Sequence, residues 1–364
     1  MQFLLFLFFV TTQSFVFRSI KPKSVIENLR ANDKYSYKDK LPYFGKNSRI
    51  GSWKEEGRPG FGKNSRISSW NGSWKEEGRP GFGKNSRIGS RKGSWNGFLA
   101  LIRAQNILPT FFLSFTGAVI QKNLWSAHFV TSSLATLGIL SSSMVFNDLF
   151  DMPIDKINHP NRPLINGDVS VKEALYYAAS FVAITEYITH FMTPRMRSYV
   201  RFSLMGVILY TPVLKRIPLV KNIFCASLVS AALGFSGNTE SFSPLLACAI
   251  QHIFAGSLHN ELLLDIRDRQ GDAQHGIATI PVLFGNKTAL LLATHVLIIN
   301  LLRLAYMLAW QKTLPLLLIC LPMFRNIRTI SLREYNRDVV VKASKDTSTP
   351  LFLSLLYFII LAHK

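Results

Sequence analysis

The chain has 364 residues, is 48% hydrophobic and carries 42 Lys and Arg against 21 Asp and Glu, a formal net charge of +21. High apolarity combined with high basicity is unusual for a soluble globular protein and typical of a polytopic membrane protein with basic cytoplasmic loops. Residues 18–97 alone hold 19 basic and 7 acidic side chains, so the remainder is only mildly basic and no nucleic-acid partner is needed to explain the charge.

The N-terminal segment, residues 1–20, contains an apolar run of signal-peptide length that is too short to span a membrane on its own. No Lys or Arg precedes this run, and a basic stretch follows it. A hydrophobic leader, then SFVF, then a basic stretch resembles the bipartite presequences of algae with secondary plastids. A signal anchor of the endoplasmic reticulum is the alternative. We therefore expect an integral membrane protein of a eukaryotic plastid or endoplasmic reticulum.

Residues 21–97 form a basic linker with a tandem repeat. The sequence GSWKEEGRPGFGKNSRI occurs at residues 51–67 and again at 72–88, a period of 21 residues. Each unit offers only Trp, Phe and Ile among Gly, Ser, Asn and charged residues, which is too little apolar surface to offset the entropy of ordering the chain. The sequence predicts a disordered linker, with binding to an anionic membrane surface as the alternative.

Residues 98–364 are dominated by apolar segments that predict an all-α polytopic membrane domain. The segments cover residues 98–120, 126–150, 172–192, 199–214, 222–240, 243–264, 286–309, 313–324 and 350–362. The longer segments approach the roughly 20 residues that a helix needs to cross a bilayer, whereas the eighth and ninth are short. We expect about nine transmembrane helices, with eight as the alternative.

The loops between these segments differ in charge. Basic residues concentrate in the loops after the second, fourth, sixth and eighth segments, although Arg195, Arg197 and Arg201 interrupt the pattern. Because Lys and Arg favour the cytoplasmic face, these loops and the residue-98 end are expected to share the cytoplasmic or stromal side. Two acidic motifs fall on that same side.

The two acidic motifs share one spacing, and each stands where an apolar segment runs into a basic loop. Their residues are Asn147, Asp148, Asp151 and Asp155 in the first, and Asp265, Asp268 and Asp272 in the second. Aspartates at i, i+3 and i+7 project from one face of a helix. Pro153 and Gly271 restrict this geometry, so we expect the first helix to end before Asp155 and the second to stop near Asp272.

Aspartates crowded at the carboxyl end of a helix repel one another and face the negative end of the helix dipole, so a cation must be present. Carboxylates on two facing helices suit Mg²⁺, which prefers oxygen ligands and is usually completed by substrate phosphates. The paired motifs therefore predict a Mg²⁺–diphosphate site. Solvated loop acids paired with Lys and Arg are the alternative, and two matched motifs make that alternative less favoured than one motif would.

Basic and polar side chains that could bind a diphosphate follow the first motif and occupy the loop between the two. They are Arg162, Tyr210, Lys215, Arg216, Lys221 and Asn222. Cations here would stabilise the charge that develops on a leaving diphosphate, with ordinary positive-inside charge as the alternative. We expect Lys156 and Arg267 to pair with aspartates, and Glu261 to orient an acceptor or a ligating aspartate.

Several stretches resemble the UbiA-type intramembrane prenyltransferases. NDLFDMPIDKINHPNRPLINGDVS is similar to the first signature of that family, and LLLDIRDRQGDAQHGIATIPVLFG is similar to the second. LYTPVLKRIPLVKN resembles the intervening loop, although Lys221 stands where the family usually has Gly, and LIRAQNILP resembles the opening helix. The resemblance covers residues 98–364 and is greatest to the branch of chlorophyll synthases and geranylgeranylglyceryl-phosphate transferases.

The resemblance implies a helical bundle around a central cavity and Mg²⁺-dependent transfer of a polyprenyl group. The donor would be an isoprenoid diphosphate, the acceptor a lipophilic aromatic, tetrapyrrole or hydroxyl compound, and pyrophosphate would be released. The implied metal ligands are Asn147, Asp148, Asp151, Asp155, Asp265, Asp268 and Asp272. The implied diphosphate contacts are Asn147, Arg162, Tyr210, Lys215 and Asn222. The implied catalytic residues are Asp151, Asp268, Lys215 and Arg162.

Two other classes of function use similar features. A cation or substrate transporter would also place acids in a membrane bundle, but toward mid-span and with inverted repeats. An inactive scaffold would keep the bundle without the chemistry, yet no aspartate of either motif is missing. Both classes fit the sequence less well than an enzyme does.

Overall fold

The computed structural model describes residues 94–237 and 242–363, apart from the side chains of Ile157 and Asn158. In these ranges all regular secondary structure is helical, and they contain no strand. The all-α prediction is confirmed for this part of the chain. The predicted targeting segment and the tandem repeat lie outside the described residues.

The described residues form thirteen α-helices and two short 3₁₀ turns. The first seven helices are α1 (Trp95–Leu101), α2 (Ile107–Ile120), α3 (Ala127–Phe150), α4 (Met152–Asn158), α5 (Pro163–Asn166), α6 (Val171–Thr189) and α7 (Pro194–Tyr210). The others are α8 (Val220–Ser236), α9 (Pro244–Gln274), α10 (Ile280–Leu308), α11 (Trp310–Leu332), α12 (Arg337–Asp346) and α13 (Ser348–Ala362). The 3₁₀ turns are Ala104–Asn106 and Leu214–Arg216.

Local sequence signals set where several helices begin. Ser170 accepts a hydrogen bond from the Glu173 backbone N–H, and the Glu173 carboxylate accepts one from the Ser170 N–H, a capping box that starts α6. Ser126 and Ser243 cap α3 and α9 in the simpler way, each accepting a backbone N–H in the first turn. These caps stand at the edges of the apolar segments that the sequence delimits.

The core is built around α9, which packs against α8, α10, α12 and α13, while α3 packs against α2, α6 and α7. Leu246 and Ile253 of α9 are fully buried against Leu233, Leu304 and Phe358 from three other helices. Burial of such side chains contributes about 1.5–3 kcal/mol each. Helix α4, which directly follows α3, also packs against α9.

Each predicted apolar segment overlaps one of the helices, but the helices differ in length from the prediction. Among the described residues, four helical stretches are long and apolar enough to cross a membrane, and α1 with α2 adds a fifth that is bent by 53°. The eighth segment, predicted at residues 313–324, is a 23-residue helix that continues through Pro315 and Pro322. The count of nine spans stays a prediction.

Candidate active site

The first acidic motif lies across a break between two helices. Helix α3 ends at Phe150, Asp151 sits in the break with its N–H on the Asn147 carbonyl, and α4 begins at Met152. Pro153 occupies the first turn of α4, where its missing N–H costs nothing. Asp155 therefore lies beyond the end of α3, as predicted from Pro153, and it belongs to a new helix that was not predicted from the sequence.

The second motif lies on one continuous helix. Asp265, Asp268 and Asp272 all belong to α9, which runs through Gly271 and ends only at Gln274. The helix thus ends two residues beyond Asp272, close to the predicted stop, and the left-handed turn that follows is made by Gly276 (φ 67°) and not by Gly271. All three aspartates keep the one-face geometry of a helix.

The two motifs meet. Helix α4 packs against α9, and His159, which follows α4, lies with its Nε2 3.7 Å from Asp268 Oδ2. The Arg267 Nη2 lies 3.4 Å from the same His159 nitrogen. Both motifs face one cavity of about 300 Å³. The convergence on which a shared diphosphate site depends is present.

Cations from three separate segments hold the first motif. Arg162 pairs with Asp148 and lies 3.3 Å from Asp155 Oδ2, and Arg103 Nη2 donates to Asp148 Oδ1 at 3.1 Å. Lys215, from the loop between the motifs, donates its Nζ to Asp151 Oδ2 at 2.5 Å. These pairs place Arg162 and Lys215 directly beside the aspartates of the first motif.

The second motif is held differently. Lys221 pairs with Asp265 Oδ1, and the Asn222 side-chain amide donates to Asp265 Oδ2 at 3.0 Å. Arg267 donates to both oxygens of its neighbour Asp268, at 2.8 and 2.5 Å. The Asp272 carboxylate makes no hydrogen bond or ion pair within residues 94–237 and 242–363.

The remaining predicted residues take various positions. Asn147 and Tyr210 line the cavity, and Tyr210 stacks on Phe224. Asn222 is fully buried behind Asp265 and is not among the cavity-lining residues. Arg267 pairs with an aspartate as expected, whereas Lys156 is exposed and forms no ion pair with a described residue.

The donor set fits a divalent cation in its chemistry. Asp151 Oδ1 and Asp155 Oδ2 are buried without a hydrogen-bond partner among the described residues, although Asp155 is within ion-pair distance of Arg162. Burial raises the pKa of the Asp155 carboxyl to about 6, with the Arg162 guanidinium opposing that rise. No three Asp, Glu, His or Cys side chains of the described part already stand together at metal-binding distance. A cation would bind by displacing Lys or Arg partners.

The charges also leave room for a cation. The cavity is lined by five cationic and six acidic side chains, and Asp148 stands behind two of the arginines. With every carboxyl ionised, seven negative charges face five positive ones. The two uncompensated negative charges equal the charge of one divalent cation.

The other half of the cavity is apolar. Leu113, Ile139, Phe224, Leu228 and Phe235 line it, and they come from α2, α3 and α8. The polar end therefore opens onto a space that suits a hydrocarbon chain and excludes water.

The sequence matches the model of the UbiA prenyltransferase family over residues 107–356. The chain belongs to the UbiA prenyltransferase family. The family assignment predicted from the two signatures is confirmed. Membership supports prenyl transfer as the general activity and a membrane as the location.

Curated relatives of this UbiA-family chain include digeranylgeranylglyceryl phosphate synthases. The protein from Pyrococcus furiosus is 32% identical over 210 residues, covering 54% of this chain and 72% of that protein. The protein from Methanospirillum hungatei is 27% identical over 275 residues, covering 73% and 97%. The predicted geranylgeranylglyceryl-phosphate branch is thereby confirmed.

Solved structures show the same fold. A digeranylgeranylglyceryl phosphate synthase has a TM-score of 0.57 at 23% identity, covering 73% of this chain and 98% of that chain. A UbiA homolog from Archaeoglobus fulgidus bound to GPP and Mg²⁺ has a TM-score of 0.52 at 18% identity, with the same coverage of 73% and 98%.

One site residue of this UbiA-family protein did not emerge from the sequence as a partner of a particular aspartate. Arg103 reaches Asp148 from 45 positions away and itself adopts a left-handed backbone conformation, φ 51°, that no local signal predicts. Glu261 was expected near an acceptor or an aspartate, and it lines the cavity one helical turn before Asp265. The stretch LIRAQNILP, which resembles the opening helix of the family, contains Arg103 and is the signal that could have identified it.

Proposed function

We propose that this protein transfers a prenyl group from an isoprenoid diphosphate to a lipophilic acceptor and releases pyrophosphate. The observation that carries the proposal is the convergence of both aspartate motifs on one end of a cavity whose other end is apolar. A diphosphate head and a hydrocarbon tail need this pair of environments side by side.

The carboxylates at the polar end of the cavity are proposed to bind the metal. Mg²⁺, when bound, supplies positive charge that stabilises the diphosphate as it leaves. Asp151, Asp155, Asp268 and Asp272 are the proposed carboxylate ligands, since they line the cavity and, unlike Asp265, are not held on both oxygens by buried side chains. The first two each keep a buried oxygen without a hydrogen bond to a described residue.

Lys215 and Arg162 stand beside these carboxylates and would contact the phosphate oxygens. The prenyl C1–O bond breaks, the electron pair leaves with pyrophosphate, and the acceptor atom bonds to C1 and loses its proton. The apolar wall holds the tail and excludes water, which would otherwise capture C1. Tyr210 and Phe224 close that wall next to the polar end.

The acceptor we propose is a glycerol-phosphate ether lipid with a free hydroxyl, and the donor is geranylgeranyl diphosphate. Support comes from the relatives, whose product is a digeranylgeranylglyceryl phosphate. A Mg²⁺-bound relative with an allylic diphosphate supports the donor class and the metal. An aromatic or tetrapyrrole acceptor, and a plastid or endoplasmic reticulum membrane, remain predictions from the sequence.

The test is an acceptor panel with the full-length protein in liposomes. Geranylgeranyl diphosphate and Mg²⁺ are incubated with geranylgeranylglyceryl phosphate, homogentisate or chlorophyllide, and products are identified by mass. We expect a digeranylgeranylglyceryl phosphate product and equimolar pyrophosphate from the first acceptor alone. Transfer to homogentisate or chlorophyllide, without transfer to geranylgeranylglyceryl phosphate, would overturn the proposal that the acceptor is a glycerol-phosphate ether lipid. Movement of a cation across the liposome without any prenylated product would favour a transporter instead.

A further inference from the structure

The side chain of Lys221 occupies an unusual position in the second motif. It stands in the first turn of α8, is only 9% exposed, and pairs with Asp265 Oδ1. The neighbouring Asn222 donates to Asp265 Oδ2 at 3.0 Å. Both oxygens of Asp265, itself 3% exposed, are therefore engaged by buried groups from one helix turn.

The other aspartates that line the cavity either keep an oxygen without a hydrogen bond to a described residue or are paired with partly exposed groups. Asp151 and Asp155 each keep one buried oxygen without a hydrogen bond to a described residue. The partners of Asp268 are Arg267 and His159, whose side chains are 21% and 26% exposed and can turn toward solvent. Lys221 has no such freedom, because leaving Asp265 would strand a buried ammonium and a buried carboxylate.

We propose that Lys221 is a tethered cation that neutralises Asp265 and keeps this aspartate out of the metal-binding set. The inference rests on the proposed function in that the metal is the one that the diphosphate requires. The sequence predicts Asp265 as a metal ligand. In this chain the Lys221 ammonium neutralises the Asp265 carboxylate. Lys221 is thus a positioning residue for the second motif.

The charge balance of the cavity supports this role. Six acidic side chains line the cavity and Asp148 stands behind two of its arginines, against five cationic side chains, of which Lys221 is one. Replacing Lys221 by a neutral residue would raise the excess negative charge from two to three and would free a carboxylate at the cavity wall. Metal affinity rises with the number of available carboxylates. The chain with Lys221 should therefore bind divalent cations less tightly than a variant without it.

The experiment measures Mn²⁺ binding by electron paramagnetic resonance to the full-length protein in detergent, without any diphosphate. Lys221→Met frees Asp265, so we expect Mn²⁺ to bind at least about fivefold tighter than to the unsubstituted protein. The double variant Lys221→Met with Asp265→Asn keeps the volume and removes both charges. It should match the unsubstituted protein within about twofold, since neither residue is a ligand.

Lys221→Arg is the conservative control and should keep the unsubstituted affinity, because it preserves a cation at Asp265. The double variant also covers the case in which Lys221→Met does not fold, since it buries no unpaired charge. Unchanged Mn²⁺ affinity in Lys221→Met would overturn the inference, and so would a marked loss of affinity in the double variant, which would make Asp265 a ligand.

The readout is independent of turnover. If the acceptor panel yields no product while the Mn²⁺ affinities follow the expected order, the proposed function fails and the role of Lys221 stands. If product forms and the Mn²⁺ affinities of the variants do not follow the expected order, the proposed function stands and the role of Lys221 fails.

Discussion

The two aspartate motifs have matched spacing in the sequence and different constructions in the fold. The first is divided between α3 and α4 and is held by cations from three distant segments. The second lies on the single helix α9 and is held by its sequence neighbour and by the first turn of α8. The difference shows that equal spacing fixes the chemistry that a motif offers, whereas prolines and loops decide which partners surround it.

The largest effect is expected when either motif loses a carboxylate that lines the cavity. Asp151→Asn and Asp268→Asn should each lower Mg²⁺-dependent pyrophosphate release on the order of 10²–10³-fold, the range for removing one group that stabilises developing charge. Asp346→Asn, at an exposed acid of α12, is the matched control. Full activity in one of the two variants would show that only the other motif serves the metal.

A smaller effect is expected on stability, where removing the arginine of the first motif should cost more unfolding free energy than removing the arginine of the second. Arg162 touches both Asp148 and Asp155, so Arg162→Gln leaves the buried Asp155 without a described cationic partner and Asp148 with Arg103 alone. The substitution should cost about 3–5 kcal/mol of unfolding free energy. Arg267 pairs only with the partly exposed Asp268, so Arg267→Gln should cost about 1 kcal/mol or less. Denaturant unfolding in detergent measures the unfolding free energy of each variant. Equal losses of unfolding free energy in the two variants would contradict the claim that the two motifs are held by differently buried ion pairs.

The pH dependence of stability offers a finer test of the first motif. The pKa of Asp155 is raised by burial to about 6, so the native state binds more protons than the unfolded state between about pH 4 and 6. Ionising Asp155 therefore destabilises the metal-free protein as pH rises through this window. In EDTA, Asp155→Asn should be less sensitive to a change from pH 5 to pH 7 than the unsubstituted protein. The measurement is the melting temperature of each protein at pH 5 and at pH 7. If the melting temperature changes equally in the variant and in the unsubstituted protein, Asp155 does not titrate as a buried carboxyl.

The smallest effect is expected outside both motifs. Among the described residues, the cations that pair with the two motifs lie between residues 103 and 267, so deleting residues 22–90 should leave transfer unchanged within about twofold. The measurement is product formation in membranes, with insertion checked by extraction. Loss of turnover in a normally inserted deletion variant would mean that the basic linker supplies a cation to one of the motifs.

Much of the site could be predicted from hydropathy and spacing. The apolar segments located the helices, and the repeated i, i+3, i+7 pattern identified the aspartates that converge. Pro153 correctly predicted the break within the first motif, since a proline ring opposes continuation of a helix. The family and its branch followed from the same residues.

The partners of the aspartates were less predictable, because they depend on contacts between distant segments. Arg103 meets Asp148 only through a left-handed turn, and Lys221 meets Asp265 only because α8 packs on α9. The length of α11 was underestimated because Lys312 and Arg325 bound the apolar segment 313–324, although the helix continues past both residues. Packing against neighbouring helices overrides such local signals.

The contact between α2 and α8 has a consequence for how a lipid reaches the cavity. A Cβ on Gly117 would lie 2.1 Å from the carbonyl oxygen of Leu233, so the two backbones touch with no side chain between them. Ser114 Oγ adds a 3.4 Å hydrogen bond to the Ala232 carbonyl at the same seam. The seam between α2 and α8 is therefore closed. A long-chain substrate would have to enter the cavity between other helices.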